Sequence, residues 1–319
     1  MGFTVKRAGA QTTVQDGGRR GYQKYGIAVA GVMDGVSAAI ANFLVGNAAD
    51  APLLECMAAG PSLHFETETV LAVTGADMQP QLDGRRVENY ASLRVPAGSE
   101  LSFAGLNSGM FAYIAFAGGL DVPQVLGSAA THQYSHTGGL EGRALRTGDR
   151  LAVCGEERKV YGRPVALHMK PRWEKQVCLS VVEDRHAGMF TEAGLHTFYS
   201  STYAVSPSSN RMGYRLDGAA IEHRGAADII TDGVVFGSVQ VPASGTPIVM
   251  MADRQTTGGY SRIANVVSCD LPRLAQAGIG AQVRFRKVSV QEAQAACRDM
   301  RSELSEVRAH IEALRWQWQ

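Results

Sequence analysis

The apolar positions of this chain fall in short runs that alternate with polar residues or are rich in β-branched and aromatic side chains. SLHFE (62–66), TVLAVTG (69–75), SLRV (92–95), ELSF (100–103), MFAYIAFAGG (110–119), RLAV (150–153), VCLSVV (177–182), GSVQVP (237–242), TPIVMMA (246–252) and QVRFR (282–286) are mostly bounded by Gly, Pro, Asp or Asn. A period of two closed by turn residues marks strands, so the pattern predicts a mainly β fold with tight turns. Helical periodicity is rarer. MDGVSAAIANFLVGN (33–47) puts Val36, Ile40, Phe43 and Leu44 on one face and stops near Gly46-Asn47. A short helix is expected over DLPRLAQAG (270–278), ended by Gly278.

The tail has a different texture. SVQEAQAACRDMRSELSEVRAHIEALRWQW (289–318) opens with Ser289 and Glu292 at capping-box spacing. Ala293, Ala296, Met300, Leu304, Val307, Ile311, Leu314 and Trp318 follow at three-four spacing. This predicts a long amphipathic helix of roughly 40 Å, which either packs on its own chain or docks on a second protein. The segment 155–176 is charged and contains proline, and reads as a link between halves. The expected division is a β-rich half over 1–160, a barrel half over 161–288 and the helix over 289–319. AGSELSF (97–103) echoes IGAQVRF (279–285), and QTT occurs at 11–13 and 255–257, a faint trace of duplication.

Composition narrows the function classes. The 319 residues are 45% hydrophobic and 19% charged with net charge +1, an ordinary globular balance. No basic run with interleaved aromatics points to nucleic acid, and no apolar stretch of ~18 residues points to a membrane span. Cys56, Cys154, Cys178, Cys269 and Cys297 are odd in number and never in CxxC spacing, which argues against a disulfide framework or zinc site. With no apolar leader at the N-terminus, a cytoplasmic protein is expected.

Candidate chemistry lies in polar clusters punctuated by glycine. TTGGYSR (256–262) lacks the lysine and spacing of a P-loop, and no GxGxxG follows a strand. No GxSxG elbow is present. His132 and His136 share i, i+4 spacing, but their Gly-rich flanks and the missing HExxH glutamate favour a polar loop, and no metal is expected. Met169-Lys170 continues with Pro171 where a biotin attachment turn has methionine, so any biotin would arrive on another chain. What remains is QTTVQDGGRRGYQKYG (11–26) with GVMD (31–34), then TGAD (74–77), then SSNRMGYRLDG (208–218) with GSVQVP and DRQTTGGY (253–260). Asp34, Asp77 and Asp253 are candidate acid/base groups. Arg19, Arg211 and Arg215 offer bidentate forks for carboxylate or phosphate. Gln240, Gln255, Thr256, Thr257, Tyr214 and Tyr260 offer amide and hydroxyl groups, and Gly258 and Gly259 let a backbone approach a ligand.

These stretches, together with LLECMAAGP, AFAGGLDVPQVLGS, GGLEGRALRTGDRL and DLPRLAQAGIGAQVRF, resemble the allophanate-hydrolase-subunit-2 family, whose members are also called biotin-dependent carboxyltransferase-related proteins, KipA-like proteins and 5-oxoprolinase C-subunits. The resemblance runs in order from about residue 5 to 300. It implies cyclophilin-like β-barrel halves. It also implies a role as the C-subunit of an ATP-dependent 5-oxoprolinase, inactive alone, which opens 5-oxo-L-proline to L-glutamate. The implied partners are a KipI-like (allophanate hydrolase subunit 1) protein and a LamB/YcsF-like 5-oxoprolinase A-subunit. ATP would be used by the complex, with no cofactor bound by a motif of this chain. The family's other activity is the carboxyltransferase of a urea carboxylase, the one setting in which biotin enters, and a non-enzymatic role as regulator of a KipI-like protein is the third reading. Within this family frame, Arg211 and Arg215 are expected to hold a carboxylate or phosphoryl group, Asp253 to handle protons, and Gln240, Thr256 and Thr257 to bind the amide. The sequence departs from the family pattern at Ala129, where an arginine is usual, at VVEDRHAGMF (181–190), and at Ser261, where GGYP becomes GGYS.

Overall fold

The computed structural model describes residues 2–154 and 170–316, with side chains through residue 313. Most of the predicted link, including Met169's side of the HMKP stretch, and the helix positions Leu314 and Trp318 therefore lie outside the described side chains. The chain divides into two compact units. The first comprises 2–19, 30–154, 170–173 and 302–316, and the second 20–29 and 174–301.

The first unit holds two antiparallel sheets. One has seven strands in the order Leu120–Asp121, Arg150–Val153, Gly2–Arg7, Ser62–Phe65, Glu100–Phe103, Pro80–Leu82 and Arg85–Arg86. The other has five, in the order Gln11–Gln15, Leu53–Met57, Ser108–Phe116, Thr69–Asp77 and Ser92–Val95. Alternate residues of these strands bury one core, in which the rings of Phe3 and Phe116 stack at 5.0 Å and Phe65 tilts against both. Helix α1 (Gly35–Leu44) forms where the periodicity predicts it, capped by the Asp34 carboxylate.

The second unit is a closed seven-stranded barrel: Gln176–Glu183, Arg262–Val266, Ser238–Gln240, Ile248–Met250, Gly213–Asp217, Tyr203–Val205 and Gln282–Lys287. Closure comes from the parallel pairing of the first and last of these, which sets Val177 and Leu179 opposite Val283 and Phe285. Closing a sheet leaves it no open edge. A separate two-stranded sheet pairs Asp228–Gly233 with Thr257–Tyr260. The polar cluster DRQTTGGY is therefore only partly loop, since its TGGY is itself a strand.

Helix α2 (Glu192–Ser200) was not predicted. Its Thr191 hydroxyl caps the Gly194 amide at 2.9 Å, but a glycine at the third helical position weakens the helical signal. The glycine has a packing reason, because a Cβ there would collide with the Glu222 carbonyl. Helix α3 (Leu271–Ala277) and helix α4 (Val290–Trp316) follow the sequence reading. The capping box of α4 is made: the Ser289 amide donates to Glu292 at 2.7 Å and the Glu292 amide to the Ser289 hydroxyl at 3.2 Å. The later part of α4 packs in cis within the first unit, burying Val307 and Ile311 and laying the Arg308 guanidinium over the Phe43 ring at 5.5 Å. No helix among the described residues is long and apolar enough to cross a membrane.

Candidate functional site

The site is built at the end of a barrel strand. After Ile248–Met250 the chain leaves the barrel, and two backbone hydrogen bonds, Met251 N to Met212 O (2.9 Å) and Asp253 N to Arg211 O (2.8 Å), hold 251–253 beside 211–212. That register sets Arg211 against Asp253 in a bidentate fork: Nε donates to Oδ2 and Nη2 to Oδ1, both at 2.9 Å. Both residues are buried. Planar forks of this kind are among the stronger charge-assisted contacts.

Gln240, on the strand Ser238–Gln240, is buried and its Nε2 has no hydrogen-bond partner among the described residues. The amide lies against Gly258, where any Cβ would strike it. Gln255 and Thr257 are exposed, Thr256 and Gly259 are half-buried, and Tyr260 is exposed on the two-stranded sheet. The Gln23 side chain donates to Val234 O (2.8 Å) and Thr256 O (3.2 Å), so the first polar cluster reaches the third within this unit. Arg215 has its side chain exposed on its strand, and the buried Tyr214 donates to Ala275 O at 3.0 Å, a tie to α3.

The remaining predicted residues belong to the first unit. The Arg19 guanidinium is almost wholly buried and donates to the carbonyls of Val125, Ser128 and Ala130. Burial lowers its pKa, with Asp16 opposing. Asp34 accepts from the amides of Val36 and Ser37 as the α1 cap. Asp77 accepts from the Gln79 amide, Arg86 and Asn107. It lines a cavity of about 710 Å³ with Arg86, Asn89, Lys170 and Trp173. Ala129, the departure from the family pattern, is fully buried, with its amide on the Asp16 carboxylate. Among the described residues no group of His, Cys, Asp and Glu could hold a metal ion.

Two residues in and just after the third polar cluster were not singled out from the sequence. The first is Arg254, buried beside Asp253, whose Nε donates to Val234 O at 3.3 Å and whose Nη1 reaches Met251 O and Ala252 O at 3.4 and 3.5 Å. Burial brings its pKa down to about 10, with Asp253 opposing. The second is Arg262, the centre of a polar network, donating to Asp184 (3.1 Å), the Gly233 carbonyl (2.8 Å) and Asp232. Asn265 and the His186 amide also donate to Asp184, and the His186 Nδ1 lies 3.4 Å from Asp184 Oδ1 without hydrogen-bond alignment. Ser261, the other departure, buries its hydroxyl against His223 Nε2 at 3.2 Å.

Residues 25–287 match the family model described as carboxyltransferase domain, subdomain A and B. The chain is 39% identical to the 5-oxoprolinase C-subunit of Escherichia coli over 92% of this chain and 94% of that protein. It is 36% identical to the 5-oxoprolinase C-subunit of Haemophilus influenzae over 89% of this chain and 90% of that protein. The crystal structure of the K. lactis urea amidolyase superposes with a TM-score of 0.88 at 28% identity, covering 96% of this chain and 20% of the amidolyase. On these matches the chain belongs to the carboxyltransferase domain, subdomain A and B family.

Proposed function

We propose that this protein is the C-subunit of an ATP-dependent 5-oxoprolinase, one member of a multi-subunit enzyme that opens 5-oxo-L-proline to L-glutamate. The observation that carries this reading is the match to a stand-alone 5-oxoprolinase C-subunit over nearly the full length of both chains. The implied partners are a KipI-like protein and a LamB/YcsF-like protein, with ATP used by the assembled complex.

The chemical task is to activate an unreactive lactam. Phosphorylation of the lactam oxygen would make the ring carbon open to water, and fixed donors would stabilise the charge that develops. Gln240 supports such a role, since its buried Nε2 has donor capacity that no acceptor among the described residues uses. Asp253 is the proton-handling group. Arg211 takes one lone pair from each carboxylate oxygen and fixes the carboxylate plane, leaving the other lone pairs in set directions. Arg211 is therefore a positioning residue, where the sequence reading had it grip the substrate. Thr256 and Thr257 present hydroxyls to the substrate amide.

The test is to co-purify the chain with its two partners and measure glutamate release dependent on ATP and 5-oxoproline. No release from a well-assembled complex would sink the reading. Asp253→Asn in that complex should lower kcat by roughly 100-fold or more while assembly is kept. Unchanged turnover would remove Asp253 from the chemistry. The likeness to urea amidolyase favours a second reading, a carboxyltransferase taking CO₂ from biotin carried on another chain. Urea carboxylation by this chain with a biotinylated carrier and a KipI-like partner would establish it.

A further inference from the structure

Arg254 carries a charge that forms no ion pair with a carboxylate among the described residues. The residue is 8% exposed. Asp253, its neighbour in sequence, has both carboxylate oxygens in the fork of Arg211. Every protein acceptor that Arg254 has among the described residues is a backbone carbonyl, at 3.3 to 3.5 Å, the long end of the hydrogen-bond range. The Phe236 ring covers one side, 5.7 Å from Cζ. The Nη2 corner has no protein partner among the described residues, and it is absent from the buried atoms left unsatisfied, so solvent reaches it.

The next three side chains are open as well. Gln255 and Thr257 are exposed and Thr256 is half-buried, and none of the three makes a side-chain hydrogen bond to the described protein. A cation in a partly dry setting, followed at once by an amide and two hydroxyls without partners among the described residues, is the donor set an oxyanion needs. The P-loop arrangement is absent, so recognition here would come from side chains rather than from a backbone cradle.

We propose that Arg254, with Gln255, Thr256 and Thr257, forms an oxyanion-binding site. Two sources share this chemistry: the carboxylate of a small amide substrate and a phosphoryl group. The choice of 5-oxo-L-proline as one probe rests on the function proposed above; the oxyanion site itself does not.

Isothermal titration of the full chain with 5-oxo-L-proline, inorganic phosphate and uncharged 2-pyrrolidinone tests it. At least one anion should bind, and Arg254→Gln should weaken that anion by at least ~10-fold, the loss of a charged hydrogen bond, without changing 2-pyrrolidinone. Arg254→Lys, which keeps the charge but not the fork, should fall in between. Should Arg254→Gln fail to fold, the Arg254 Nε–Hε NMR signal, identified by its loss in Arg254→Lys, must shift when the anion is added to the wild type. Phosphate binding that depends on Arg254, with no binding of 5-oxo-L-proline, would support the site and count against the oxoprolinase reading. Binding of neither anion, undiminished binding by a folded Arg254→Gln, or an unshifted Arg254 signal would overturn the proposal.

Discussion

Arg254 and Arg262 stand on one short stretch of chain, both buried, and meet opposite electrostatics. Arg262 is 5% exposed and answers two carboxylates, Asp184 and Asp232, plus the Gly233 carbonyl. Burial alone would lower its pKa, but Asp232 and Asp184 outweigh burial and raise it. Arg254 is 8% exposed with carbonyl partners only among the described residues, and burial prevails, down to about 10. A buried charge costs free energy unless it is paired. The paired arginine fastens Asp184, Asp232 and Gly233 to its own strand. The other stands beside open polar side chains, the setting in which a perturbed charge is a candidate for ligand binding.

The sharpest way to break this comparison is to replace each arginine by methionine, which keeps most of the side-chain length. Arg262→Met leaves the buried Asp184 without its arginine and Asp232 with Arg185 alone, and should cost about 3–5 kcal/mol of stability. Arg254→Met removes a charge that has no ion-pair partner among the described residues and should change stability by under about 1 kcal/mol. Urea unfolding with unchanged m-values reads both. Equal costs would show that Arg254 has a structural partner after all.

Acid separates the two next. At Asp184 burial raises the pKa, but hydrogen bonds from Asn265, the His186 amide and Arg262 outweigh it and hold the carboxyl below its usual value. The Arg262 hydrogen bond, first among the causes, brings Asp232 to about 2. Both are acids depressed by folding. Their stabilisation is therefore complete above an unfolded pKa of about 3.9 and is lost as pH falls through the folded values. His186 acts in a higher window. Burial first, then Arg262, lowers its pKa, so the folded state disfavours the proton and stability drops as pH falls below about 6.5. Arg262→Met should flatten the stability profile between pH 4 and about 2, and His186→Gln should flatten it just below about 6.5. Arg254→Met should leave both slopes as they are.

The same contrast shows what the sequence could reveal. Strands such as Ser92–Val95, Glu100–Phe103 and Arg150–Val153 stand where alternation put them, and the α4 capping box is made by the two residues that announced it. Local pattern fixed these because their determinants are local. The QTT pair shows the limit: at 11–13 the triplet lies in a strand paired with Leu53–Met57, while at 255–257 only Thr257 does lie in a strand. Distant partners decide that difference. They also decide charge pairing. Adjacency would give Arg254 to Asp253, but the fold gives Asp253 to Arg211 across 42 residues. The Arg262 network draws Asp184 from across 78 residues, from the very segment that departs from the family pattern, so no motif announced it.

The smallest effects test the same division at single hydroxyls. Ser238 Oγ donates to Asn265 Oδ1 at 2.9 Å and accepts from the Val235 amide at 3.2 Å, and Asn265 in turn donates to Asp184. Ser238→Ala frees one acceptor and one amide and loosens a residue that orients Asp184. A cost of about 1 kcal/mol follows, with a slight weakening of the acid-range slope that Asp184 sets. Thr257 is exposed and its hydroxyl bonds to nothing in the described protein. Thr257→Ala should stay within about 0.5 kcal/mol of wild type in unfolding, and any effect should appear in anion affinity instead. If Thr257→Ala destabilised the fold as much as Ser238→Ala, the 255–257 segment would belong to the structural network around Arg262, and Arg254 would lose the open neighbours that set it apart.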